Sequence, residues 1–184
     1  MSVALLGLYW RERRAGLEEC AEAVHKSLLC MAGHGYETFF QAGKSRRTAL
    51  ERPFDVSPSS VENLLASGVN RTDVAKAPIP ELGWSMSLWS GDADSEAYKV
   101  MFHCGACSKR VGNNVVINLP KVGRHGLAEG GNRAIKLYGD LLKIWNPAQA
   151  VLCDGSISWE RGSLIPGSEP LAQRKLSVIK RLLG

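Results

Sequence analysis

Residues 83–119 read GWSMSLWSGDADSEAYKVMFHCGACSKRVGNNVVINL, and three strand-like runs stand out: Gly83 to Trp89, Ala97 to Cys104 and Asn114 to Leu119. Ser90, Gly91, Asp92, Ala93 and Asp94 separate the first two, and Lys109 to Asn113 separate the last two. Connections this short between neighbouring runs predict an antiparallel meander. Strands in direct succession, set between helices, point to an α+β fold with a mainly antiparallel sheet and packed helices. They argue against a doubly wound α/β sheet.

Working upstream, Val3 to Trp10 is a continuous apolar run followed by charges, which predicts a buried strand. A helix is expected from about Leu17, because Leu17, Cys20, Ala21, Val24, Leu28 and Met31 recur every three or four residues before the stop at Gly33-His34-Gly35. Tyr36 to Gln41 is aromatic and reads as a strand. Ser57 as N-cap, with Pro58 at the first helical position, opens a short helix that stops at Gly68. Turn formers from Gly68 to Pro80 predict a crossing loop.

Downstream, a helix is expected after Gly130 and Gly131, with Ala134, Leu137, Tyr138, Leu141, Leu142 and Trp145 on one stripe and Asn146-Pro147 as its end. Gln149 to Asp154 predicts another strand. Residues 170–183 predict a C-terminal amphipathic helix, with Ala172, Leu176, Ile179 and Leu183 beside Arg174, Lys175, Lys180 and Arg181. The expected order is β-α-β-α-β-β-β-α-β-α, in one domain over 1–184.

The 184 residues are 45% hydrophobic with a formal net charge of +5, far from the low hydrophobicity and high charge that keep chains unfolded. Apolar runs fall well short of the ~18 residues of a spanning helix, so no membrane association is expected. Basic residues follow the first apolar run rather than precede it, unlike a secretory signal, and a cytoplasmic location is expected. The five cysteines are an odd number in a chain able to build a core, so reduced thiols are the default. Residues 1–100 hold 11 basic and 13 acidic side chains, whereas residues 101–184 hold 12 basic and 5 acidic. The basic excess lies in the second half.

The sharpest local pattern is His103, Cys104, Gly105, Ala106, Cys107. Zinc needs about four ligands, and the other candidates, Cys20, Cys30, His125 and Cys153, are isolated along the chain. Redox chemistry would place Cys-x-x-Cys at a helix N-terminus, whereas this one ends a strand-like run, so a structural role is preferred. No phosphate loop, dinucleotide fingerprint, nucleophile elbow or His-Glu-x-x-His occurs. No catalytic residue, metal site or cofactor is assigned, and no enzyme activity is expected. Asp92, Asp94 and Glu96 alternate like the start of a calcium loop but lack its later glycine and glutamate.

Lys44, Arg46 and Arg47, with the basic C-terminal cluster, leave a nucleic-acid-binding module as an alternative, although no aromatic platform interleaves them. A Cys-x-x-Cys redox or metal protein is a second alternative. Trp84 and Trp89 have opposite parity on one strand, so one is expected in the core and the other at the surface. A surface tryptophan beside Asp92, Asp94 and Glu96 is an anchor with an acidic rim, suited to a basic protein partner. Trp89, Asp92, Asp94 and Glu96 are the candidate partner-binding residues, against the plainer reading of a solvated hairpin.

Taken in order, Gly7-Leu8-Tyr9-Trp10 with Arg11, Glu19-Cys20-Ala21, Gly68-Val69-Asn70-Arg71-Thr72-Asp73, Leu82-Gly83-Trp84 and Asn113 to Pro120 resemble the immunity protein 52 family of bacterial polymorphic toxin and type VI secretion systems. The resemblance spans roughly residues 3 to 155. It implies a cytoplasmic binding protein that neutralises a cognate toxin, for this family commonly a nuclease with a restriction-endonuclease-like domain. It implies no active site, and supplies no interface residues. A net charge of +5 departs from the acidic balance expected of an inhibitor of a basic nuclease.

Overall fold

The computed structural model describes residues 4–41, 52–91, 97–109, 111–120 and 127–153. The expected helix over 170–183 lies outside them, as do Asp92, Asp94, Glu96 and the cluster Lys44, Arg46, Arg47.

Strand β1 (Ala4–Trp10) leads to helix α1 (Leu17–Gly33), a two-residue strand β2 (Phe40–Gln41) and helix α2 (Pro58–Ser67). A 3₁₀ turn (Pro80–Leu82) precedes the meander β3 (Trp84–Trp89), β4 (Lys99–Cys104) and β5 (Asn113–Leu119). Helix α3 (Leu127–Trp145) and strand β6 (Gln149–Cys153) follow. All six strands join one sheet in the order β2-β3-β4-β5-β1-β6, and every neighbouring pair is antiparallel. The fold is α+β.

Alternation along the strands sets the two faces. Leu6, Leu8 and Trp10 of β1, Val100, Phe102 and Cys104 of β4, and Val115, Ile117 and Leu119 of β5 are buried on one side. The helices close that side with Val24, Leu28 and Met31 of α1, Val61 and Leu65 of α2, and Ala134, Leu137, Leu141 and Trp145 of α3. The core is this layer between sheet and helices.

Three local expectations differ from the structure. The aromatic run from Tyr36 pairs as a strand only at Phe40–Gln41. Upstream, the Tyr98 hydroxyl donates to the Thr38 carbonyl and accepts from the Thr38 amide, satisfying the backbone groups that a neighbouring strand would otherwise serve. Tyr36 and Phe39 turn into the core, edge-on to the Tyr98 ring at 5.3 and 6.0 Å.

Helix α3 begins at Leu127 and runs through Gly130 and Gly131 rather than starting after them. The glycine penalty, about 1 kcal/mol each, is a weak prior that tertiary packing overrides. Ser57 is the N-cap of α2 by position, with φ −68° and ψ 151°, yet its hydroxyl makes no cap bond. It donates instead to Asp55, which also accepts from the Ser57 amide and the Ser60 hydroxyl. These bonds, from Ser57 first, hold the Asp55 carboxyl below its ordinary pKa.

Candidate functional site

Four of the five stretches that carry the family resemblance lie far apart in sequence and meet around the loop 105–107, and the fifth, from Gly68, reaches it through the Val69↔Trp84 bridge. Gly105 (φ +77°) makes the turn after β4, and a Cβ there would lie 2.4 Å from the Trp84 ring and 3.1 Å from Cys20 Sγ. Gly83 (φ +75°) lies under the same loop, where a Cβ would come within 2.4 Å of the Cys104 carbonyl oxygen. Only glycine accepts that backbone and that approach together. The loop is then tied in by the Arg13 amide donating to the Ala106 carbonyl (3.0 Å) and the Cys107 amide donating to the Glu81 carbonyl (3.0 Å).

Asn113, 1% exposed, is the clamp at the centre. Its Oδ1 accepts from the Ala106 amide (2.8 Å), and its Nδ2 donates to the carbonyls of Arg11 (2.8 Å) and Ala106 (3.0 Å). His103 joins β4 to both flanking connections, with Nδ1 2.9 Å from the Gly112 carbonyl and Nε2 2.9 Å from that of Leu82. Both ring nitrogens of His103 are therefore engaged by backbone carbonyls.

Cys104 and Cys107 do not act as a pair. Cys104 is buried, and its thiol partner is Cys20 of α1. That hydrogen bond, and then burial, push the Cys104 thiol far above its ordinary pKa. A low-pKa redox thiol has the opposite signature.

The same end of the molecule carries a cleft of about 440 Å³, lined among others by Trp10, Arg13, Cys20, Cys104, Lys143 and Trp145. Trp10 stacks on Trp145 at 5.0 Å, and the Arg13 guanidinium lies 5.7 Å from the Trp10 ring centroid. Arg13 donates through Nη1 to the Trp145 carbonyl (2.9 Å) and through Nη2 to that of Asn146 (3.0 Å), so it caps the C-terminus of α3. Trp145 Nε1 donates to Ser27 Oγ (2.8 Å), which donates to the Ala23 carbonyl. Within this lining Trp10, Arg13 and Trp145 are engaged in these packing and capping contacts.

Trp84 and Trp89 lie on opposite faces, because the β3–β4 register runs without a bulge from Trp84↔Cys104 to Trp89↔Lys99. The expected division into one core and one surface residue does not hold, since both are half-buried. Trp84 packs against the core, whereas Trp89 leans on Phe40 with ring centroids 6.2 Å apart. Of the four candidate interface residues, Trp89 is therefore placed at the far end of β3, and the three acidic ones lie outside the described residues.

Trp89 belongs to the sheet face opposite the helices. The register aligns it there with Lys99, Asn118 and Leu5, and aligns Ser85 with His103, Asn114, Tyr9 and Gln149. Among the described residues of this face, Lys99, His103, Tyr9 and Cys153 are the ionisable groups. A second groove, about 460 Å³, runs over it past Ser85, Ser87, Met101, His103 and Asn114. Broad, nearly uncharged and half-buried, it suits contact with a protein better than capture of a small ion or phosphate.

Elsewhere, Cys30 of α1, His34 at its C-cap and Asp140 of α3 bring their donor atoms within 4.8 Å of one another. His34 Nε2 lies 3.0 Å from Asp140 Oδ2, and Lys143 Nζ donates to Oδ1 at 2.8 Å. Bonds from Lys143 first, then His34, hold the Asp140 carboxyl below its ordinary pKa, and burial raises that of the Cys30 thiol. Sequence reading missed this grouping and the Asn113 clamp. The only advance signal for the first was the i, i+4 spacing of Cys30 and His34.

Among the described residues no helix is long and apolar enough to cross a membrane. No curated protein matches the chain. The family model described as immunity protein 52 matches residues 4–152, which take in every described element from β1 into β6. The chain therefore belongs to the immunity protein 52 family, whose members act against a toxin partner.

Proposed function

We propose that the toxin neutralised by this chain is a nuclease with a restriction-endonuclease-like domain, and that inhibition comes from a rigid surface docked over its catalytic cleft in the cytoplasm. The observation that carries the reading is the family match over residues 4–152. The chain acts as a binding protein with no catalysis of its own, against an effector delivered by a type VI or related polymorphic system. A preorganised partner surface fits this task, because little ordering entropy opposes association.

The interface centres on the β3–β4 hairpin, with Trp89 as anchor and Asp92, Asp94 and Glu96 as an acidic rim. Two features support that choice. Trp89 is half-buried on the sheet face opposite the helices, and residues 1–100 carry a small acidic excess, 11 basic against 13 acidic side chains, within a chain of net charge +5. An acidic rim would speed encounter with a basic nuclease without setting the final affinity.

Co-expression with the neighbouring toxin tests the reading. Cell survival and a complex that co-purifies are expected, with toxin-catalysed DNA cleavage suppressed in the complex. Survival without loss of nuclease activity would overturn cleft-blocking, and a toxin with no nuclease activity would overturn the substrate class. Asp92→Lys with Asp94→Lys should slow association severalfold, more so at low salt. Unchanged association would move the interface elsewhere.

A further inference from the structure

We propose that Cys30, His34 and Asp140 form a binding site for a zinc-class divalent cation joining α1 to α3. Cys30 of α1 and His34 at its C-cap are one helical turn apart, joined by the His34 amide to the Cys30 carbonyl, so their side chains share a face, and Asp140 meets them from the neighbouring helix. Donors bound to one tetrahedral zinc sit roughly 3.5 Å from each other, given metal–ligand distances of 2.0–2.3 Å. The three donors already lie within 4.8 Å, and His34 and Asp140 are at 3.0 Å. Small side-chain rotations close the remainder.

The donor set selects the metal. Thiolate and imidazole favour zinc and its neighbours over calcium or magnesium, which take oxygen ligands. On coordination the Cys30 thiol proton leaves to solvent, and the metal takes the place of the proton between His34 and Asp140, which passes to His34 Nδ1 or, from a doubly protonated ring, to solvent.

The surroundings are mixed but workable. His34 ends α1, where the helix presents its negative dipole end, and no basic residue lies in that last turn. Lys143 on Oδ1 orients the carboxylate and leaves Oδ2 towards His34, as an outer partner of a ligand does. Its positive charge opposes the cation, which places the affinity below that of a closed four-ligand site. The side chains of His34 and Asp140 retain 19% and 42% exposure, so the ion has a path in and a fourth position for water.

The test uses the full chain, reduced and stripped with chelator, titrated with Co²⁺ and then Zn²⁺. One equivalent of Co²⁺ is expected to raise a thiolate-to-cobalt charge-transfer band in the near ultraviolet, with tetrahedral d–d bands in the visible, and Zn²⁺ should bleach both. Cys30→Ala should abolish the charge-transfer band, and Asp140→Asn should weaken binding by about tenfold or more. Circular dichroism in chelator checks that each variant is folded, with Cys30→Ser as the replacement if Cys30→Ala is not. No charge-transfer band at saturating Co²⁺ would overturn the proposal. So would a band that survives removal of Cys30, because the metal would then sit on other thiols.

Discussion

Replacing Asn113 with alanine removes the clamp that joins the end of β1, the loop 105–107 and β5. Three bonds of 2.8, 2.8 and 3.0 Å disappear, and the Ala106 amide, the Ala106 carbonyl and the Arg11 carbonyl lose that partner. The Ala106 carbonyl keeps the Arg13 amide, so the full loss falls on the buried Ala106 amide, with a smaller one at the part-buried Arg11 carbonyl. A buried polar group left unsatisfied costs about 1–3 kcal/mol, so Asn113→Ala should lose about 3 kcal/mol. For a chain of this size each kcal/mol is worth ~2–4 °C, which predicts a melting point lower by about 6–12 °C. Thermal melts followed by circular dichroism, with urea denaturation alongside, provide the measurement.

Asn113→Asp separates hydrogen bonding from packing. It keeps the shape and the acceptor for Ala106, but turns an oxygen towards two carbonyl oxygens. The loss at neutral pH should at least equal that of the alanine variant. An aspartate variant as stable as the parent, or an alanine variant within ~2 °C of it, would refute the reasoning, since neither shape nor volume explains such tolerance.

Gly68→Ala should cost at least about 2 kcal/mol by denaturant unfolding, because its Cβ would come within 1.7 Å of the Ser85 carbonyl oxygen. Gly139→Ala, with nothing within 4 Å of the added carbon, should instead gain up to about 1 kcal/mol of helix propensity in the same assay. A double-mutant cycle of Ser27→Ala and Trp145→Phe should return a coupling of about 1 kcal/mol, and a coupling of zero would remove the bond from the account of the core. Alkylation of the native chain followed by mass spectrometry should modify half-buried Cys107 well before Cys20 or Cys104. Rapid labelling of Cys104 would contradict its burial and raised thiol pKa.

The meander was readable in sequence because each run is short and its connections fit nothing else. Helix α1 was readable for a similar reason, since its buried residues Cys20, Ala21, Val24, Leu28 and Met31 match the helical period. What periodicity could not show was the effect of distant partners. Tyr98 satisfies the Thr38 backbone from 60 residues away and so releases Tyr36 and Phe39 from strand pairing. Helix α3 holds Gly130 and Gly131, which a local reading treats as punctuation.

At the site level the structural preference for Cys104 was readable from its place at a strand end, but its partner was not. Cys20 reaches it where α1 packs close to Gly105, a position at which an added Cβ would lie 3.1 Å from Cys20 Sγ. Asn113 looks like a turn residue in sequence, since nothing local reveals that its amide is buried. Asp140 meets His34 across 106 residues of chain, a separation at which spacing rules have no purchase.

The place of β1 within the sheet sets a timetable for synthesis. Its two partners are β5 and β6, so Ala4 pairs with Leu119 and Leu5 with Cys153. At ~5–20 residues per second, a ribosome needs about 5–20 s to make the roughly 100 residues between β1 and its first partner. Throughout that interval Leu5, Leu6, Leu8, Tyr9 and Trp10 lack the strands they pair with in the finished sheet. Protection against a toxin then depends on a standing pool of finished chains, because new synthesis answers an incoming effector only after this delay.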